Sequence, residues 1–461
     1  MSNRIVVIAN RLPVSNQSKK KGAKNRIWET SPGGLVSALI PVLQNHRGSW
    51  VGWTGTTGGA PAPFRHSGIQ IHPIGMTRSE LDSFYYGFCN TTIWPLFHDA
   101  VRPPIFNRNW WWSYKDVNRK FAELSLKTIR KGDIAWVHDY QLQLVPKLIR
   151  ERRRDTPIGF FLHIPFPPEE LFAQLPWRKQ ILEGLLGADV VGFQTKLHAD
   201  NFARAAMRYT EAEGSTRLLY YRGREIRVGA FPISIDVKRI EETARKPSTI
   251  AKADAFRKRM GNRRIILGVD RLDYTKGIDM RMKAFEFLLE NRHFSVHDFV
   301  FVQIVVPSRE AVLQYQDMKT QIESIVGRVN GDYGVPGKFP LHYFHQNLPF
   351  DELVASYLAA DIMLVTPLCD GMNLVSKEYV ASRLDDTGVL VLSEFAGAAN
   401  ELKEALLVNP HDVEGVAKAL ESAFTLPSKE LQRRMRSLKK RVRRHDVYEW
   451  AANFMTELKK K

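Results

Sequence analysis

At 461 residues the chain is too long for one ordinary core, so two domains are expected. Its 44% hydrophobic and 25% charged content describes a soluble globular protein, and no apolar run approaches the length of a membrane span. The net charge of +18 narrows the partners to nucleic acid, an anionic membrane or phosphorylated small molecules.

Much of that excess lies in the runs Lys19–Lys21, Arg152–Arg154 and Arg433–Arg444, which are ordinarily solvated helix faces or loops. No RNP, helix-turn-helix or zinc-finger pattern accompanies them, so neither nucleic acid nor membrane is an expected partner. The N-terminal MSNRIVVIAN enters a strand directly, without the three-part pattern of a signal peptide. Cys89 and Cys369 are too few for a disulfide framework and stand in no zinc-type spacing, which points to a reducing compartment, the cytosol.

Short β-branched or aromatic runs alternate with longer amphipathic ones, predicting an α/β protein with parallel sheets. In chain order the expected strands of the first half are Ile5–Ala9, Ile134–Val137, Gly159–His163, Val190–Phe193 and Ile226–Phe231. Those of the second half are Arg264–Val269, Phe299–Val305, Ile362–Val365, Val389–Leu392 and Ala405–Val408. Amphipathic stretches intervene at Val117–Arg130, Trp177–Leu186, Thr195–Tyr209, Met280–Glu290 and Val312–Ile325. A strand runs out in PISID at Pro232–Asp236, which sets expected domains at 1–233 and 234–439. The basic stretch after Pro427 ends in Trp450 and Phe454, aromatics suited to docking a final helix, about 440–461, back on the first domain.

Open parallel sheets bind ligands at the carboxyl ends of their strands. Those ends carry Asn10-Arg11, His138-Asp139-Tyr140 and His163-Ile164-Pro165-Phe166-Pro167 in the first half, then Arg271 with Lys276, Ser308-Arg309 and Asp370-Gly371 in the second. Any one of them could be structural; matching chemistry at six ends argues for one cleft.

Two segments carry most of the chemistry. In TPLCDGMNLVSKEY, Thr366–Tyr379, an apolar run delivers the chain to Asp370-Gly371, and Asn373-Leu374 open a helix. Helix N–H groups beside a carboxylate suit a diphosphate and sugar hydroxyls, and Glu378 one turn on can reach a ribose. In GVDRLDYTKG, Gly268–Gly277, a loop holds Arg271 and Lys276, two cations able to neutralise a departing diphosphate. No G-x-G-x-x-G follows the first strand and no Walker A loop appears, so dinucleotide and triphosphatase fingerprints are missing. No D-x-D supports a metal-held diphosphate.

In the first half the segments are ANRLP at Ala9–Pro13, SPGGL at Ser31–Leu35, FYYGFCN with IWPLFH from Phe84 to His98, WVHDYQL at Trp136–Leu142 and GFFLHIPFP at Gly159–Pro167. In the second they are VDRLDYTKG at Val269–Gly277, PSR at Pro307–Arg309, DGMNLVSKEY at Asp370–Tyr379 and LSEFAGAANEL at Leu392–Leu402. In order and spacing, over nearly the whole chain, they resemble the trehalose-6-phosphate synthases, which are retaining glycosyltransferases.

The resemblance implies a GT-B fold, two Rossmann-like domains with parallel sheets facing across a central cleft. It implies transfer of glucose from a nucleotide-diphosphate glucose to glucose 6-phosphate, giving α,α-trehalose 6-phosphate with the donor configuration retained. By motif, Arg11 and Arg309 would grip the acceptor phosphate, while Tyr85, Trp94 and Asp139 would line the acceptor sugar. Gly33 and Gly34 would close over the donor, the missing side chains admitting its diphosphate. Arg271 and Lys276 would bind the diphosphate together with the helix start at Leu374, Val375, Ser376 and Lys377. Glu378 would hold the ribose and backbone near Leu348 the base. Asp370 and His163 would hold the donor glucose, completing with Asp139, Arg271 and Lys276 the catalytic set.

A retaining glycosidase needs two carboxylates about 5 Å apart, a pair these motifs do not offer. The resemblance instead implies a same-face displacement in which the leaving diphosphate oxygen takes the proton of the attacking hydroxyl. It implies no metal or other cofactor, since the nucleotide sugar is a substrate. It implies a separate downstream trehalose-phosphate phosphatase, and leaves open whether the chain forms a homo-oligomer. The departure is Cys369, where the family pattern has Arg before Asp-Gly. Alternatives are a sister synthase using glycerol 3-phosphate (the glucosylglycerol-phosphate type), a cyclitol-coupling relative, or a non-catalytic sugar-phosphate sensor. Tyr85, Trp94 and Arg309 favour an acceptor with both ring and phosphate, and a sensor would have lost groups such as Arg271, Lys276, Asp370 and Glu378.

Overall fold

The computed structural model describes residues 4–16, 28–30, 34–45, 48–291, 295–308 and 313–460. Two compact units emerge, Met1–Ile233 with Tyr448–Lys461, and Ser234–Val447. The basic run Lys19–Lys21 lies outside the described residues.

In the first unit the sheet is parallel through its centre. Its order is Arg224–Ala230, Val190–Phe193, Ile158–Phe161, Ile134–His138, Ile5–Arg11, Ser49–Thr57 and Ile69–Met76. Antiparallel strands close both edges: Leu218–Tyr221 with Glu213–Gly214 at one, Phe64–His66 at the other. The central strands lack a polar face because helices cover both sides; Ile5 through Asn10 are all buried, and only Arg11 reaches solvent. From Ile5–Arg11 the chain builds outward to Ser49–Thr57 and Ile69–Met76, then returns and builds the other way from Ile134–His138. The topological switch therefore lies between Ile5–Arg11 and Ile134–His138, at whose carboxyl ends ligands bind in such sheets.

The second unit repeats the logic with the parallel order Leu341–His345, Phe299–Val306, Arg264–Arg271, Ile362–Val365, Val389–Ser393 and Leu406–Val408. Here the switch lies between Arg264–Arg271 and Ile362–Val365, which puts the GVDRLDYTKG and DGMNLVSKEY segments side by side.

Two features of the first unit were not expected from sequence. Strands Ser49–Thr57 and Ile69–Met76 carry glycines and Pro73 inside their runs, which masks the strand pattern. Leu81–Ile93 is a π-helix of 13 residues, a wide spiral that is rare at any length. Its five-residue spacing is fastened by side chains: Asn90 Nδ2 donates to Tyr85 O at 2.7 Å and Thr91 Oγ1 to Tyr86 O at 2.8 Å.

Helix Val447–Lys459, all but its first residue in the first unit, lays Trp450 and Phe454 on the sheet. Their rings lie 5.1 and 4.9 Å from Trp136. Gly159 and Gly192 make room, since a Cβ on either would stand 2.6 or 2.7 Å from the Phe454 ring. Among the described residues no helix is long and apolar enough to cross a membrane.

Candidate active site

At the switch of the first unit, Arg11 ends its strand with its guanidinium over the Trp53 ring, 4.7 Å from the centroid. Gly55, at φ +89°, leaves space that a Cβ would take from that guanidinium. Trp53 in turn lies 5.9 Å from the Tyr85 ring, so Arg11, Trp53 and Tyr85 form one cation–aromatic cluster. Trp53 was absent from the sequence expectation because its strand was.

Asp139 ends the neighbouring strand in the left-handed region, φ +74°, an uncommon conformation for a residue with a side chain. Its Oδ1 accepts the His163 N–H at 3.2 Å, fixing the turn that presents both residues. His163 Nε2 and His138 Nδ1 lie 3.1 Å apart, one donating and one accepting. Burial holds both rings neutral, His163 down to about 3 and His138 well below its ordinary value. Trp94 is only 4% exposed, its ring against His98 at 4.1 Å and Tyr140 at 5.5 Å. It supports the residue after Asp139 and offers little surface of its own.

At the switch of the second unit, Lys276 Nζ donates to Asp370 Oδ2 at 2.6 Å. Asn373 Nδ2 reaches the same oxygen at 3.2 Å, while its Oδ1 caps the helix Leu374–Ser382 by accepting Ser376 N–H at 3.1 Å. Ser376 is thus committed to the cap, and Leu374 and Val375 open the helix. Lys377 turns away: its ammonium donates to Glu401 Oε2 at 2.6 Å and is almost wholly buried, so its contribution to the helix start is backbone alone. Tyr357 OH donates to Glu378 Oε2 at 2.9 Å, and burial pushes that carboxyl above its ordinary value.

Behind the loop sits a network that motif reading passed over. Arg281, 1% exposed, donates to Asp270 Oδ2 at 2.5 Å, Gln303 Oε1 at 3.2 Å, Thr366 Oγ1 at 3.1 Å and Lys276 O at 3.1 Å. It ties together two strands, the residue that follows a third, and the lysine loop. The available signal was a charge at a core position of the amphipathic stretch, one turn from Ile278 and Phe285. Gly277, φ +61°, ends the loop where a Cβ would meet Thr366 O at 2.5 Å. Arg271 ends its strand exposed to solvent. Cys369 is buried, and the N–H of Leu368 before it is held by Thr275 O at 2.7 Å.

Leu348 lines a cavity of about 310 Å³ with Phe256, Met260, Ile304 and Phe344, past the end of strand Leu341–His345. Lys252, Arg259, Gln346 and Glu352 also line it, and apolar walls with polar groups between them in so small a volume suit a flat heterocycle. Gly33 and Arg309 lie outside the described residues, and Gly34 begins the helix Gly34–Asn45. Among the described residues no group of three or more His, Cys, Asp or Glu is placed to hold a metal ion.

The sequence model of glycosyltransferase family 20 matches residues 3–460. A trehalose-6-phosphate synthase of Mycolicibacterium smegmatis is 49% identical over 463 residues, 98% of this chain and 92% of that protein. One from Mycobacterium leprae is 49% identical over 98% of this chain and 94% of its own length. Among solved structures, a UDP-forming α,α-trehalose-phosphate synthase of Burkholderia xenovorans in complex with glucose 6-phosphate superposes with a TM-score of 0.91 at 33% identity, covering 99% of this chain and all of that one. The E. coli protein bound to UDP-2-fluoro glucose gives 0.91 at 36% identity, covering 100% and 99%. The chain belongs to glycosyltransferase family 20, that of the trehalose-6-phosphate synthases, and is a glycosyltransferase with their GT-B fold.

Proposed function

We propose that the protein transfers glucose from a nucleotide-diphosphate glucose to glucose 6-phosphate, forming α,α-trehalose 6-phosphate with retention. The observation that carries this is the switch point of the second unit. There a lysine, a carboxylate and an asparagine-capped helix start converge at hydrogen-bonding distance. Arg271, Lys276 and the N–H groups of Leu374 and Val375 meet the diphosphate, Glu378 the ribose, and the cavity beside Leu348 the base. Asp370 and His163 hold the donor glucose. Arg11 takes the acceptor phosphate, joined by Arg309, and Tyr85 and Asp139 flank the acceptor sugar.

The displacement runs on one face. The acceptor hydroxyl forms the new bond to the anomeric carbon as the bond to the diphosphate breaks, and its proton passes to the departing diphosphate oxygen. Lys276 and Arg271 neutralise the charge that develops there, in place of a metal ion. The product keeps its phosphate, so a separate phosphatase must release the free sugar, and such sugar phosphates are cytosolic substrates. The relatives' complexes with glucose 6-phosphate and with a UDP-glucose analogue support the substrate pair and favour uridine as the base.

The test is product analysis with purified protein, glucose 6-phosphate, and UDP-, GDP- or ADP-glucose in parallel. A non-reducing disaccharide phosphate of α,α configuration is expected. A product with glycerol 3-phosphate alone, or none from any donor, overturns the reading.

A further inference from the structure

A second cavity, this one in the first unit and about 630 Å³, opens at the amino ends of the strands. Arg4 precedes Ile5–Arg11 and Gln70 lies at the start of Ile69–Met76, while Lys127 and Arg130 come from the end of helix Arg108–Thr128 and the turn after it. Seven residues of extended chain at about 3.3 Å each put Arg4 roughly 23 Å from Arg11, so this cavity is separate from the candidate active site.

Its charge is one-sided. Arg4 is committed, donating to Asp133 at 2.5 Å and to Thr128 O at 2.8 Å. The second bond also covers the negative end of the helix, which would otherwise repel an anion. The side chains of Arg65, Lys127 and Arg130 are exposed and pair with no acid among the described residues. Strand alternation puts His72 on the same face as Gln70, and His72 Nε2 is buried without a hydrogen-bond partner among the described residues. Burial pulls that ring's pKa down, and Arg4 and Arg130 pull it further, so the field of the cations converges on it. Cations gathered around a polar cavity repel one another until an anion enters, and guanidinium forks match phosphate oxygens in pairs.

We propose that this cavity binds a compact phosphate-bearing small molecule, held by Arg65, Lys127 and Arg130 at the mouth with His72 as the inner hydrogen-bond partner. Phosphate monoesters and diphosphates share this chemistry, and inorganic pyrophosphate is the simplest probe.

The experiment is calorimetric titration of the full chain with pyrophosphate. Three chains are compared: the unaltered protein, Lys127→Ala/Arg130→Ala, and Arg11→Ala/Arg271→Ala, which lacks one cation from each proposed substrate site. Both Lys127 and Arg130 are exposed, so their removal leaves the core untouched and basal transfer unchanged. Loss of two charge-assisted contacts should weaken one binding event at least about tenfold in the first variant, and that event should persist in the second. Glucose 1-phosphate in a parallel arm separates a monoester preference from a diphosphate one, and tenfold weakening of either by the first variant supports the site. Equal affinity in the first variant, loss of the event in the second, or no saturable binding below about 10 mM overturns it.

Discussion

Lys276 Nζ and Asp370 Oδ2 stand 2.6 Å apart, with both side chains largely enclosed. The cation proposed for the diphosphate and the carboxylate proposed for the sugar therefore form an ion pair with each other. The ion pair fixes the position of both groups where the nucleotide sugar is proposed to bind. Lys276→Ala should lower turnover roughly 100-fold or more, the scale for loss of one donor to developing charge. Because the lysine acts on the donor, KM for glucose 6-phosphate should barely move. Initial rates with each substrate varied in turn check this, and near-normal turnover would remove Lys276 from the mechanism.

Arg281 touches no proposed substrate group, yet it holds Lys276 O, Asp270, Gln303 and Thr366 at once. Burial pushes the Asp270 carboxyl up, and the charges of Arg281 and Lys276 oppose that shift. Arg281→Met would strand a buried carboxylate, a loss of about 3–5 kcal/mol. Arg281→Lys should recover only part of it, since one ammonium cannot span four acceptors. Urea denaturation of the three chains measures the order, and equal midpoints for Met and unaltered protein would contradict it.

Legibility followed how local the physics is. The strands Ile5–Arg11, Val190–Phe193, Ile362–Val365 and Val389–Ser393 are dominated by short apolar runs and could be read directly. Asp370, Asn373 and Glu378 lie within one short segment, so their shared neighbourhood was visible in the spacing. Ser49–Thr57 was not, because Gly52 and Gly55 break its run. Gly55 is a glycine because the Arg11 guanidinium needs its space, a long-range reason. The π-helix eluded periodicity because the 3.6-residue template does not describe it. Side-chain hydrogen bonds from Asn90 and Thr91 reinforce its backbone ladder, though such residues ordinarily argue against a helix.

His163 offers a pH signature. Its folded pKa, about 3, lies below the ordinary 6.5, so between these values the unfolded chain takes a proton the folded one refuses. The stability this contributes is complete above about pH 6.5 and drains away as pH falls toward 3. His138, well below its ordinary value, and His198, at about 4, act in the same direction. His163→Asn should therefore flatten, without abolishing, the fall in unfolding free energy between pH 7 and pH 5, by roughly 1–2 kcal/mol. Parallel pH profiles for the two chains would show that His163 titrates normally.

The last helix supplies a test of packing. Phe454 is fully buried, 4.9 Å from Trp136 and 5.1 Å from Phe231. Phe454→Ala should cost about 3–5 kcal/mol, the usual price of emptying an aromatic site. Gly192→Ala fails for the opposite reason: its methyl would stand 2.7 Å from Phe454 and 2.9 Å from Phe161, overpacking worth about 1–3 kcal/mol. Removing the phenyl ring relieves the closer of these clashes. The double variant should thus be more stable than the sum of the two losses predicts, a coupling read from a double-mutant cycle in urea. Strictly additive losses would mean that methyl and ring never meet, and that the helix does not lie where Gly159 and Gly192 leave room for it.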